Sequence, residues 1–163
     1  MTHELAYLSG LVGSGVTPSL TPRLHMAEGR AHGLNYVYRP IDLTVLELDP
    51  EDLREILNWA EMLGFNALNI THPCKRDVLE FLDHVDPVAA SLGAVNTVLF
   101  TPEGRVGHNT DTTGFERAFT VGLPGAWTRR VVQVGAGGAG SAVADALLRL
   151  GTAELTIVDL DRD

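Results

Sequence analysis

Four stretches of this chain carry side chains and glycines suited to binding or reacting with a ligand. The first is Gly135-Ala136-Gly137-Gly138-Ala139-Gly140, which follows the apolar run Val131-Val132-Gln133-Val134. It leads into a segment whose Val143, Ala144, Leu147 and Leu148 share one side. A G-x-G-x-x-G run alone says little, but set between a strand and a helix it reads as a dinucleotide cradle. Gly135 permits the tight turn, Gly137 lets backbone approach a pyrophosphate, and Gly140 lets the helix pack closely on the strand. Ala136, Gly138 and Ala139 complete the loop, and the helix start turns unpaired N–H groups and its positive dipole end toward the phosphates. Asp159 closes the next strand, nineteen residues after Gly140. An acid there binds both ribose hydroxyls of NAD and repels the 2′-phosphate of NADP. NAD is therefore the expected cofactor, with NADP kept open by Arg162 nearby. A glycine turn that only packs a helix is the weaker alternative, because strand, helix and acid are all in place.

The other three stretches are polar breaks in apolar surroundings. Ser19-Leu20-Thr21-Pro22, with His25 following, precedes a helical stretch. Its hydroxyls fit helix capping, the stronger reading taken alone, or binding of a carboxylate. In Asn69-Ile70-Thr71-His72-Pro73-Cys74-Lys75, Asn69 and Thr71 fall on one side of an extended segment. Lys75 is expected to open a helix, where the dipole disfavours its charged form and suits it to carrying a proton. A solvated lysine is the plainer alternative. In Gly107-His108-Asn109-Thr110-Asp111-Thr112-Thr113-Gly114-Phe115, Asp111 either caps the next helix or pairs with a lysine and fixes it. Asn96 interrupts an apolar strand as a satisfied core amide or a ligand contact.

Strands and helices alternate along the chain and carry these residues to their places. Strands are predicted over 6–12, 36–41, 65–70, 95–100, 105–109, 131–134 and 155–159. Helices are predicted over 22–33, from Asp49-Pro50 to Gly64, over 75–82, from Asp86-Pro87 to Gly93, over 113–121 and over 138–150. Leu53, Ile56, Leu57, Ala60 and Leu63 are expected on one buried face, and Thr101-Pro102-Glu103-Gly104 reads as a hairpin turn. This order implies an α/β fold: a first domain, 1–112, with a mixed, largely parallel sheet, then 113–163, a linker helix and the first β-α-β of a Rossmann domain. Pro124-Gly125 marks the linker.

Taken together, Ser-x-Thr-Pro, Asn-Ile-Thr-x-Pro-x-Lys, Gly-Ala-Val-Asn-Thr-Val, Gly-His-Asn-Thr-Asp-x-x-Gly-Phe and Gly-Ala-Gly-Gly-Ala-Gly occur in the order of the shikimate dehydrogenase family. The chain resembles that family over nearly its whole length, most closely the NAD-preferring quinate/shikimate dehydrogenase branch. The resemblance implies a substrate domain joined to a Rossmann domain. It implies that Ser19 and Thr21 hold the carboxylate of shikimate or quinate, and that Asn69, Thr71, Asn96 and Asp111 contact ring hydroxyls. Lys75 and Asp111 match the catalytic pair, the Gly135–Gly140 loop the phosphate site, and Asp159 the ribose acid. The implied reaction is reversible hydride transfer between a ring alcohol and a nicotinamide. Thr21, where the shikimate-specific pattern has a second serine, resembles the quinate-accepting branch. Cys74 stands where the common pattern has histidine; it reads as a small buried thiol with no assigned role, with a pKa lowered by neighbouring Lys75 as the alternative. The alternatives are an NADP-dependent shikimate-specific or aminoshikimate-type enzyme, and a non-catalytic segment of such an enzyme. Family members continue well beyond residue 163, so the chain reads as the N-terminal portion of a longer enzyme, with exposed apolar surface and little activity by itself.

Composition narrows the partners. In 163 residues, 12 basic and 21 acidic side chains leave a net charge of −9, unsuited to a phosphate backbone. No apolar run approaches a membrane span, Met1-Thr2-His3-Glu4 lacks a basic leader, and the single Cys74 suits a reducing cytoplasm. Small-molecule substrates are the expected partners, without nucleic acid or membrane, and a homodimer is allowed for. His3, His32 and His84 are expected on the surface, His72 and His108 near the cleft, and no metal site is expected, because His25 and Glu28 lack a second ligand pair.

Overall fold

In the computed structural model, which describes residues 6–160, short apolar stretches ended by glycine, proline or a polar break become strands joined by helices. His3 and Arg162 lie outside the described residues. The chain divides into two compact units, Met1–His108 and Asn109–Asp163.

The first unit runs β1 (Ala6–Gly13), α1 (Thr21–Ala31), β2 (Asn35–Asp42), α2 (Leu43–Leu46), a 3-10 turn (Pro50–Asp52), α3 (Leu53–Met62) and β3 (Ala67–Ile70). A second 3-10 turn (Asp77–Phe81), β4 (His84–Val85), α4 (Pro87–Leu92), β5 (Thr97–Thr101) and β6 (Gly104–His108) follow. The sheet order is β2-β1-β3-β5-β6-β4. β1 pairs in parallel with β2 and β3, β5 is antiparallel to β3 and β6, and β4 is parallel to β6. The sheet is thus mixed and mostly parallel, as the alternation of elements implies. This pairing puts the ends of β1, β2 and β3 at the same end of the sheet. The start of β5 joins them because Asn69 faces Thr97, and the end of β6 joins because Thr97 faces His108.

The core of this unit is one cluster that includes Val12, Leu43, Leu53, Ile56, Leu57, Leu68, Ile70, Val78, Val95 and Val98. Helix α3 contributes Leu53, Ile56, Leu57 and Ala60 at i, i+3, i+4 and i+7, the spacing that gathers one face. Leu57 is fully buried. Leu57→Ala is expected to lower unfolding stability by about 2–5 kcal/mol, read from the denaturant midpoint at unchanged slope. Leu63, expected on the same face, is 67% exposed. The helix ends at Met62, and the chain turns away through Leu63 and a left-handed Gly64.

The expected helix over 75–82 is also corrected. Residues 72–76 form turns, and only Asp77–Phe81 coils, as a 3-10 turn. A helix starting at Lys75 would give its carbonyl to the Leu79 N–H. That carbonyl instead accepts the Val95 N–H at 2.8 Å, and Leu79 N–H bonds Arg76 at 3.2 Å. Lys75 therefore does not sit at an α-helix N-terminus, and the dipole argument for its chemistry falls away.

The second unit holds α5 (Asp111–Gly122), β7 (Arg130–Val134), α6 (Gly138–Arg149) and β8 (Glu154–Val158). β7 and β8 pair in parallel, from Arg130 opposite Glu154 to Val134 opposite Val158, with α6 as the crossover. Such a connection needs a long crossover, here a helix, because parallel strands cannot be joined by a tight turn. Val132, Val134, Ile157 and Val158 are exposed on these strands.

Candidate active site

The first unit gathers its candidate polar residues at the shared strand ends, the end of a parallel sheet where ligands bind in α/β folds. Ser19 and Thr21 follow β1 and are half-buried. Ser19 Oγ donates to Thr21 Oγ1 at 3.0 Å and accepts the Thr21 N–H at 3.2 Å. The N-cap of α1 is Leu20, which has no side-chain oxygen, so Ser19 serves the helix from one residue upstream. The two hydroxyls lie close enough for one carboxylate to reach both, with the Ser19 proton turning from Thr21 to the incoming oxygen.

Asn69, at the end of β3, anchors a chain of bonds. Tyr38 O–H donates to its Oδ1 at 2.6 Å, and its Nδ2 donates to Thr97 Oγ1 at 3.0 Å and to the Asn96 carbonyl at 3.4 Å. Thr97 Oγ1 in turn donates to Asn96 Oδ1 at 3.0 Å. Burial, then the neighbouring Tyr36, raises the Tyr38 phenol's pKa, which keeps it a donor. The His25 ring lies 4.5 Å from the Tyr38 ring, and burial lowers its pKa. Asn69 and Asn96 are therefore brought together, with Asn96 almost fully buried. Thr71 is half-buried, its N–H bonded to the Val12 carbonyl at 2.9 Å and its carbonyl to the Cys74 N–H at 2.9 Å. Lys75 is half-buried on the same loop. Cys74 is fully buried, and burial first, then Asp77, raises its thiol to about 11. The reading as a small buried thiol is the one the structure gives, and the alternative, a lowering by Lys75, is overturned. His72 is exposed, and His108 Nδ1 lies 3.3 Å from Asp86 Oδ2. His32 pairs on the surface with Glu28 at 3.0 Å, and His84 is exposed. Among the described residues, no group of three or more His, Cys, Asp or Glu could hold a metal ion.

Asp42, which sequence reasoning missed, organises the loop that carries Ser19. Its carboxylate accepts Thr17 Oγ1 and N–H at 2.7 Å, Gly15 N–H at 2.8 Å and Thr44 N–H at 3.1 Å. The Thr17 hydroxyl, followed by the backbone donors, overcomes desolvation and holds its pKa at about 2. A carboxyl depressed on folding stabilises the fold above its ordinary value of 3.8 and loses that contribution as pH falls through about 2. Stability is expected to drop over this window in the parent and less steeply in Asp42→Asn, read by thermal melts across acid pH. The signal was present in sequence only as an Asp two residues before a threonine at a strand-to-helix turn.

In the second unit, Asp111 is the first residue of α5, not its cap. Asn109 Oδ1 accepts its N–H at 2.9 Å. The glycine loop joins β7 to α6. Gly135 has φ +99°, and a Cβ on Gly140 would lie 2.4 Å from the Gly135 carbonyl oxygen, whereas one on Gly137 would meet nothing within 4 Å. Gly137 caps α6 with no side chain of its own. Tight packing at Gly140 and open space over Gly137 are what a dinucleotide pyrophosphate needs. Ala136 N–H donates to Asp159 Oδ2, and Leu160 N–H to Asp159 Oδ1 at 2.7 Å, so the acid stands beside the loop. Gly138 and Ala139 begin α6. Gln133 was also missed; it lies under the loop, buried in β7.

A mixed sheet with polar residues at its strand ends, and a β-α-β unit whose glycine turn leads from strand to helix, define an α/β protein with a Rossmann-type turn. The chain belongs to the family of the shikimate dehydrogenase substrate binding domain, whose model matches residues 11–98. It is 58% identical over 158 residues to a shikimate dehydrogenase (NADP(+)) of Pseudarthrobacter chlorophenolicus, covering 97% of this chain and 54% of that protein. It is 50% identical over 162 residues to a quinate/shikimate dehydrogenase (NAD(+)) of Corynebacterium efficiens, covering 99% and 57%. A solved quinate dehydrogenase from Corynebacterium glutamicum in complex with NAD superposes with a TM-score of 0.88 at 49% identity, covering 96% of this chain and 56% of that one. The chain spans about half the length of the curated relatives it matches. Among the described residues, no helix is long and apolar enough to cross a membrane.

Proposed function

We propose that the protein carrying this chain reversibly oxidises a ring hydroxyl of shikimate or quinate with NAD. The observation that carries this reading is the convergence of Ser19, Thr21, Asn69, Thr71, Lys75 and Asn96 at one end of one sheet. The relatives named for both substrates support it.

In this reading the Ser19 and Thr21 hydroxyls take the substrate carboxylate. Asn69, Thr71, Asn96 and Asp111 orient the ring hydroxyls, with Asn69 and Asn96 set by Tyr38 and Thr97. Lys75 takes the hydroxyl proton as the carbinol is oxidised and returns it in the reverse direction, and Asp111 supplies the carboxylate that fixes it. The loop 135–140 holds the pyrophosphate through the backbone N–H groups at the start of α6, and Asp159 takes the ribose hydroxyls. When bound, the nicotinamide accepts or supplies the hydride.

A second reading, NADP with shikimate alone, is favoured by the NADP-named relative at 58% identity. The Asp159 carboxylate beside the loop opposes it, since it would repel a 2′-phosphate. Reduced-nicotinamide absorbance decides, with quinate or shikimate crossed against NAD or NADP in the full-length protein. Turnover of both substrates with NAD is expected. Activity confined to shikimate with NADP would install the second reading, and silence in all four pairs would refute both. The lone, buried Cys74 supports a cytoplasmic setting, which cell fractionation tests. A homodimer belongs to the same reading, and light scattering tests it.

A further inference from the structure

We propose that Gln133 is a positioning residue for the dinucleotide: its side chain fixes the distance between the two ends of the glycine loop. The inference deepens the NAD reading above and rests on it. Gln133 is the one polar side chain of Val131-Val132-Gln133-Val134, in a strand position where packing against α6 calls for an apolar residue. It is only 8% exposed. Its Nε2 donates to the Gly135 carbonyl at 2.7 Å and to the Gly140 carbonyl at 2.9 Å, the first and last glycines of the loop. Two carbonyl oxygens can be met only by the NH2 end of the amide, so the side chain's orientation is set by its partners. That leaves Oε1 buried with no hydrogen-bond partner among the described residues.

A buried acceptor left unpaired opposes folding, and an apolar side chain of similar length would avoid the cost. What the glutamine adds is a clamp. It ties the carbonyl at the left-handed turn to the carbonyl of the first helical turn, across the point where Gly140 lies against Gly135. With both carbonyls held inward, the N–H groups at the start of α6 are left to the open side over Gly137, where the pyrophosphate belongs. Pre-organised donors do not have to be ordered when the ligand arrives, so the clamp acts on affinity.

The test compares the full-length protein with Gln133→Met, which keeps length without donors, and Gln133→Glu, which turns oxygen toward both carbonyls. Calorimetric titration with NAD and steady-state kinetics are read together. In Gln133→Met the Kd and KM for NAD are expected to rise about tenfold, the scale of one to two neutral hydrogen bonds. The rise is expected to be larger in Gln133→Glu. The kcat at saturating NAD and the KM for the ring substrate stay unchanged. A role in folding alone would lower Tm and the amount of active enzyme and leave the KM for NAD where it was, which would overturn the proposal. So would an unchanged Kd in Gln133→Met. A parent protein that binds no dinucleotide would overturn the NAD reading itself, and the clamp with it. If neither variant folds, exchange of the Gln133 side-chain amide protons in the parent decides. Slow exchange that slows further with NAD supports the clamp, and exchange at the solvent rate refutes it.

Discussion

Lys75→Ala is expected to lower turnover about 10²- to 10⁴-fold, the range of general acid–base catalysis, while the ring substrate still binds. The backbone of Lys75 is held independently of its side chain. Its carbonyl takes the Val95 N–H at 2.8 Å, and the preceding Cys74 bonds Thr71 at 2.9 Å, so truncation leaves the loop in place. The groups assigned to the substrate, Ser19, Thr21, Asn69 and Asn96, keep the hydrogen bonds that orient them. What is lost is a proton carrier at the carbinol, a loss felt in the transition state rather than in the ground state. Single-turnover kinetics beside equilibrium substrate binding separates the two. Lys75→Arg keeps the charge but cannot release its proton at neutral pH, so it is expected to be nearly as slow as alanine. Turnover at the parent's rate in either variant would remove Lys75 from the chemistry.

The second large effect is expected at Gly140. An added methyl would stand 2.4 Å from the Gly135 carbonyl oxygen and 2.9 Å from its carbon, both backbone atoms that no rotamer change can move aside. Gly140→Ala must therefore spread the loop from α6, costing about 1–3 kcal/mol of stability and weakening NAD binding at least tenfold. Gly137→Ala is the informative partner. Its φ of −63° suits alanine, and its Cβ meets nothing within 4 Å. It should melt like the parent and still bind NAD poorly, because its methyl occupies the space the pyrophosphate needs. Thermal melts and NAD titration of the pair are the measurement. Equal melting temperatures in the two variants would contradict the close packing at Gly140, and parent-like affinity in Gly137→Ala would take the pyrophosphate away from this loop.

Much of this organisation is local and therefore legible in the chain itself. The glycine loop announces a strand-to-helix turn because only glycine accepts both the left-handed backbone of Gly135 and the close approach at Gly140, and β7, α6 and β8 lie where that turn requires. Helix α3 follows from apolar residues at a helical spacing behind Asp49-Pro50, and the hairpin from Pro102-Glu103-Gly104. Each of these features is decided within a few residues of itself.

Other features depend on partners far apart in sequence and emerge only once the chain is folded. Lys75 fails to open a helix because Val95, twenty residues on, takes its carbonyl. Cys74 is an inert thiol because the core closes over it, against what its lysine neighbour alone would suggest. Asn69 is held by Tyr38 and Thr97, 31 and 28 residues away, and Asp42 ties down Gly15 and Thr17 across 27 and 25 residues. Residue type and spacing thus set which groups could act and which turns would present them. The pairing order of the strands decided which of them meet, because a hydrogen bond acts over about 3 Å and nothing in a local run of sequence says what will be brought that close.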